Sequence, residues 1–78
     1  MKKLATYLVH GITGNSDIKI DENKDGDRTE LIVKAPKEFI GLIIGKGGRT
    51  IKAIRNVLRI KATLEKKGVF INVEEKED

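Results

Sequence analysis

Gly45-Lys46-Gly47-Gly48 puts three glycines and a lysine in four consecutive residues, and Arg49, Lys52, Arg55 and Arg59 follow at helical spacing. Glycine loses more backbone entropy on folding than any other residue, so a run of three is no stability device. What it allows is close approach of the main chain to a ligand. A helix that starts at Arg49 would point its free N–H groups and the positive end of its dipole at whatever lies over the loop. An anion is the matching guest, and Lys46 at the loop tip is placed to meet it. With Lys52 set to zero, Arg49 lies at about +60°, Arg55 at about −60° and Arg59 at about −20° around a helix of about 3.6 residues per turn. Four bases thus share one face beside the glycines. No acid occurs between Glu38 and Glu65, whereas a merely solvated helix face mixes both signs in i, i+4 pairs.

Other chemistry finds few residues to carry it. The chain has no Cys, a single His (His10) and a single Ser (Ser16), so thiolate or imidazole metal sites and nucleophile–base pairs lack their parts. Neither an enzyme nor a cofactor is expected, and His10 reads as a packing residue. The net charge of +4 is unevenly spread. Acids dominate from Asp17 to Glu30, while ten bases between Lys34 and Lys67 face only Glu38 and Glu65. Such a basic zone binds nucleic acid by releasing its condensed counterions.

The elements that must position the loop follow from periodicity. Leu4, Tyr7, Leu8 and Ile12 predict a helix over Lys2 to Ile12 with these residues buried, closed by Gly14-Asn15. Ile18 and Ile20 alternate with Asp17, Lys19 and Asp21 as a half-buried strand. A turn over Asn23 to Asp27 leads back into a second strand, Thr29 to Ala35, with Leu31, Val33 and Ala35 inward. Pro36 suits a helix start, giving a short helix from Lys37 to Ile44. The helix from Arg49 carries Ile51, Ile54, Leu58 and Ala62 on one stripe, and Val69 to Val73 makes a last strand. The expectation is an α+β fold in the order α-β-β-α-α-β, with a three-stranded mixed sheet and the helices on one face. With 78 residues it forms one domain over 1–78, with an acidic tail from about Glu74 to Asp78. No apolar run approaches the ~20 residues of a membrane span. Lys2-Lys3 and the apolar run after it imitate a leader but lack a small-residue cleavage site, so a cytoplasmic protein without membrane association is expected.

Three phosphate-binding designs compete for the loop. A nucleotide P-loop needs G-x-x-x-x-G-K-[ST], and the run from Gly41 to Gly45 is one residue short of it. A dinucleotide fingerprint follows a strand, whereas this loop follows a helix. A G-x-x-G loop joining two helices is the KH design, which clamps the backbone of four nucleotides. The segment Ile43-Ile44-Gly45-Lys46-Gly47-Gly48-Arg49-Thr50-Ile51-Lys52-Ala53-Ile54 resembles the KH signature V-I-G-x-x-G-x-x-I-x-x-I. The strands ahead of the helix pair make it similar to the type II arrangement. The whole chain resembles the small bacterial single-KH proteins of the KhpA (YlqC) group. Lys37 to Ile54 aligns without gaps to the form K-E-D-x-G-K-V-I-G-K-x-G-R-T-x-x-A-I, departing at Phe39, for an acid, and at Leu42, for a base.

The resemblance implies single-stranded RNA held in a groove between the loop with its helices and the last strand. Phosphates would meet the amides of Lys46, Gly47 and Gly48 after Gly45, with charge from Arg49, Lys52 and Arg55. Ile43, Ile44 and Ile51 would floor the groove, Ile51 leaning to the core, and Lys67 in Lys66-Lys67-Gly68 would form the opposite rim. The implied role is low-specificity RNA binding in RNA regulation or chaperoning, or an adaptor role beside a Jag-type KH-containing protein. Base-stacking platforms of the RRM or OB type are not expected, because Tyr7, Phe39 and Phe70 are the only aromatics. Strand alternation turns Ile32 and Phe70 away from the helices, a candidate protein interface for a homodimer or for the KH partner.

Overall fold

The computed structural model describes residues 1–14 and 18–76. Asn15, Ser16 and Asp17, expected to close the first helix and open the first strand, lie outside the described residues, as do Glu77 and Asp78 of the expected tail. The elements are α1 (Lys2–Thr13), β1 (Lys19–Asp25), β2 (Arg28–Ala35), α2 (Lys37–Ile44), a single 3₁₀ turn (Lys46–Gly48), α3 (Arg49–Leu64) and β3 (Gly68–Glu75). The sheet order is β1-β2-β3. β1 and β2 pair antiparallel around the Gly26-Asp27 turn, with Ile20 opposite Val33, and β3 lies parallel to β2, with Ile71 opposite Leu31. A parallel pair needs a crossover, and α2, the glycine turn and α3 supply it. The expected α-β-β-α-α-β order and mixed sheet are what the chain forms. β3 runs on through Glu74 and Glu75, two residues assigned to the acidic tail, because the ladder continues opposite Lys34 and Ala35 and the Lys76 N–H donates to Ala35 O at 2.8 Å.

Period-2 alternation sends Ile20 of β1, Leu31, Val33 and Ala35 of β2 and Ile71 of β3 to one face, where Ile43 of α2 and Ile54 and Leu58 of α3 cover them. α1 buries Ala5 and Val9 fully, and of the expected stripe Leu4 and Leu8 pack against the core, whereas Tyr7 is 76 % exposed and Ile12 also faces outward. The buried face therefore spans Leu4, Ala5, Leu8 and Val9, shifted around the helix from the expected stripe. The first turn of α1 holds two lysines and no acid. Glu22 of β1 compensates, its Oε2 accepting from the Lys2 N–H at 3.3 Å. On the far face Lys34 donates to Asp21 at 3.0 Å, and that hydrogen bond, then the Asp21 charge, raises the Lys34 ammonium above its ordinary pKa.

Candidate nucleic-acid interface

The loop is shaped by one close approach. Gly45 adopts φ 77° and ψ 168°, a region open essentially only to glycine, and a Cβ built there would overlap the Thr50 side chain and stand 2.8 Å from the Thr50 backbone nitrogen. Gly47 (φ 66°) and Gly48 (φ 78°) are left-handed and face open space. The Gly48 N–H donates to Gly45 O at 3.0 Å and the Arg49 N–H returns to Lys46 O. No backbone carbonyl among the described residues accepts from the Lys46 or Gly47 N–H. Two loop amides, rather than the expected three, therefore remain for a phosphate. The start of α3 has no side-chain cap and no acid in its first turn, so it keeps its positive end in the open.

Lys46, Arg49, Lys52 and Arg55 are all exposed, and they continue from the loop along α3 without an acid between them. The aliphatics divide. Ile43 is fully buried in the core and offers no surface to a base, contrary to its expected place in the groove floor. Ile44 is partly exposed, and Ile51 packs against the core. The i, i+1 pair cannot face the same way on a helix, which is why only one of the two isoleucines reaches the surface. Lys67 is exposed but sits past the C-terminal end of α3, about 24 Å from the loop by the helix rise. It belongs to the far end of any groove, not to the clamp.

A cleft of about 460 Å³ runs between α3 and the edge strand β3, with Arg55 and Arg59 on one wall and Phe70 and Asn72 on the other. Arg28 and Glu30 of β2 also line it. Phe70 stands opposite Glu30 and the half-buried Ile32 opposite Asn72, so the candidate interface pair are diagonal neighbours on the face of the sheet away from the helices. The Arg28 guanidinium lies 4.3 Å from the Phe70 ring centroid.

The family model for the KhpA/KhpB KH domain matches residues 2–73. The chain belongs to that family. Among its relatives are proteins named RNA-binding protein KhpA. That of Halalkalibacterium halodurans is 30 % identical over 94 % of this chain and 97 % of the relative. Those of Clostridium perfringens and Clostridium acetobutylicum are each 31 % identical over 94 % of this chain and 99 % of the relative. No solved structure matches the chain. Among the described residues no helix is long and apolar enough to cross a membrane.

A second surface was missed by the sequence reading. Ala53, Val57, Ile60 and Leu64 form an exposed stripe on α3, where Ile60 is 65 % and Leu64 80 % exposed. Ile12 of α1 lies beside this stripe, sharing a pocket with Ala53 and Val57. The i, i+4, i+7, i+11 spacing was the available signal.

Proposed function

We propose that the chain binds single-stranded RNA in the cytoplasm, with the Gly45–Gly48 turn gripping a phosphate and the bases lying along the first turns of α3 beside Arg49 and Lys52. The observation that carries this reading is the open start of α3, where two loop amides, an uncapped helix end, Lys46 and the first-turn bases converge. That start is unfavourable for an isolated protein and becomes favourable when an anion occupies it. The names of the relatives support the same ligand. Phosphate contacts carry no sequence information, so the clamp gives weak specificity, in keeping with a general role in RNA regulation or chaperoning. Titration of a labelled single-stranded RNA tetramer tests it: Lys46→Asp with Gly47→Asp places two negative charges where the phosphate sits and should remove measurable binding. Retained affinity in a folded double variant overturns the assignment.

Protein association is the second reading, and the exposed α3 stripe favours it. Its spacing of four, three and four residues is unchanged when the helix is reversed, so two copies can pair antiparallel about a two-fold axis. Ala53 then faces Leu64 of the second copy and Val57 faces Ile60, small against large. A Jag-type KH-containing protein with a similar helix face is the alternative occupant. Arg49 borders this stripe, while Lys52, Arg55 and Arg59 lie further around α3, so either association leaves most of the basic face clear and the two readings coexist.

A further inference from the structure

The RNA path does not end at the glycine clamp. Arg55 and Arg59 continue the line of bases down α3, and Arg59 lies about 15 Å beyond Arg49 by the helix rise. There the cleft brings three arginines, Arg28, Arg55 and Arg59, around a single acid, Glu30, and one aromatic ring. Phe70 is 47 % exposed, the more exposed of the two phenylalanines, and Arg28 lies against its ring. An aromatic with a stacked guanidinium is a planar surface of the kind on which unpaired bases stack. Asn72, two residues along the same strand face, adds an amide that can both donate and accept. β3 is an edge strand, so main-chain groups on its outer side are free for a base edge as well.

We propose that this end of the cleft is a second base-binding station, where a nucleobase beyond the four held by the clamp stacks on the Phe70–Arg28 pair while Arg59 holds the adjoining phosphate. The proposal rests on RNA being the ligand of the clamp and adds to it a longer footprint with one stacked base. An acidic protein segment would find the arginines equally attractive. The stacked ring and the unbroken line of bases leading from the glycine turn favour RNA.

The experiment compares labelled oligouridylates of four and eight residues on the full chain, on Phe70→Leu and on Arg59→Gln, by fluorescence anisotropy at fixed salt. Stacking is worth about 1–3 kcal/mol per base, so Phe70→Leu should weaken octamer binding roughly tenfold and leave tetramer binding unchanged. Arg59→Gln should act in the same direction with a smaller loss. Ultraviolet crosslinking of the octamer should join RNA to the peptide that contains Phe70. Tetramer binding reports the clamp alone, so its loss in the unaltered chain overturns the clamp reading and this proposal together. Normal tetramer binding with an octamer indifferent to both variants overturns the station only. An octamer indifferent to Phe70→Leu, together with a changed sedimentation coefficient, assigns the ring to protein contact and also overturns it.

Discussion

Gly45 and Thr50 compete for one small volume: a Cβ on Gly45 would stand 2.7 Å from the Thr50 Cβ and 2.8 Å from its backbone nitrogen. This contact folds the end of α2 tightly onto the start of α3, and it sets the direction in which the loop amides face.

Gly45→Ala should therefore be the most damaging change in the loop. The backbone conformation alone costs about 1–3 kcal/mol with a side chain present, and the overlap adds to it. At about 4–8 °C per kcal/mol for a domain of this size, the melting temperature should fall by roughly 10 °C or more. Thr50→Ala should not rescue it, because the backbone nitrogen stays where it is. Thermal melts of the single and double variants check this, and an unchanged melting temperature would show that the loop relaxes.

The neighbouring positions should separate stability from binding. Gly47 has a left-handed backbone facing open space, so Gly47→Asp should cost about 1–2 kcal/mol and lower the melting temperature accordingly. Lys46→Asp meets no such strain and should melt like the unaltered chain. Both should bind RNA poorly. Equal melting temperatures would contradict the geometry.

What the sequence made legible was whatever leaves one periodic solution. β2 alternates strictly from Thr29 to Ala35, and its inward set is the buried set. Pro36 and Gly45 punctuate α2 at its observed ends. The helices were ambiguous where two stripes were apolar. On α1, Leu4 and Leu8 of the expected stripe pack on the core beside Ala5 and Val9 while Tyr7 and Ile12 turn outward, and only tertiary packing selects among them. On α3, Ile54, Leu58 and Ala62 are buried, while Ala53, Val57, Ile60 and Leu64 face outward on a second stripe. The glycine turn was visible as a break between two helices. That Gly48 uses its own amide on Gly45 O was not, since it depends on the left-handed geometry of two successive residues.

The salt dependence of tetramer binding should be moderate. Lys46, Arg49, Lys52 and Arg55 can neutralise about three or four phosphates, so log K against log salt should slope at about −2 to −3 for a single strand. Lys67, at the far end of α3, should not contribute, and Lys67→Gln should leave the slope unchanged. A slope near zero would mean that the basic face does not touch the RNA.

Self-association should follow the exposed helix stripe. Ile60→Glu puts a charge at the centre of the antiparallel pairing, and it sits on a 65 % exposed residue whose loss leaves the core intact. Sedimentation velocity should show a dimer in the unaltered chain that becomes monomeric in Ile60→Glu, with Phe70→Leu dimeric throughout. A monomer in all three at high concentration would dismiss the two-fold pairing.

Finally, RNA should stabilise the fold through the start of α3. Without ligand, this helix end has no side-chain cap and no first-turn acid, and Arg49 and Lys52 add positive charge to the positive end of the dipole. A ligand that binds only the folded chain stabilises it by about 2.7 kcal/mol at a hundred times its Kd. For a domain of this size that is a rise in melting temperature of roughly 10–20 °C. Single-stranded RNA should produce this rise, and a neutral-backbone analogue of the same sequence should not, because bases alone leave the helix end uncompensated. In the Lys46→Asp, Gly47→Asp double variant the rise should vanish. An equal rise in that variant would place the bound phosphate away from the glycine turn.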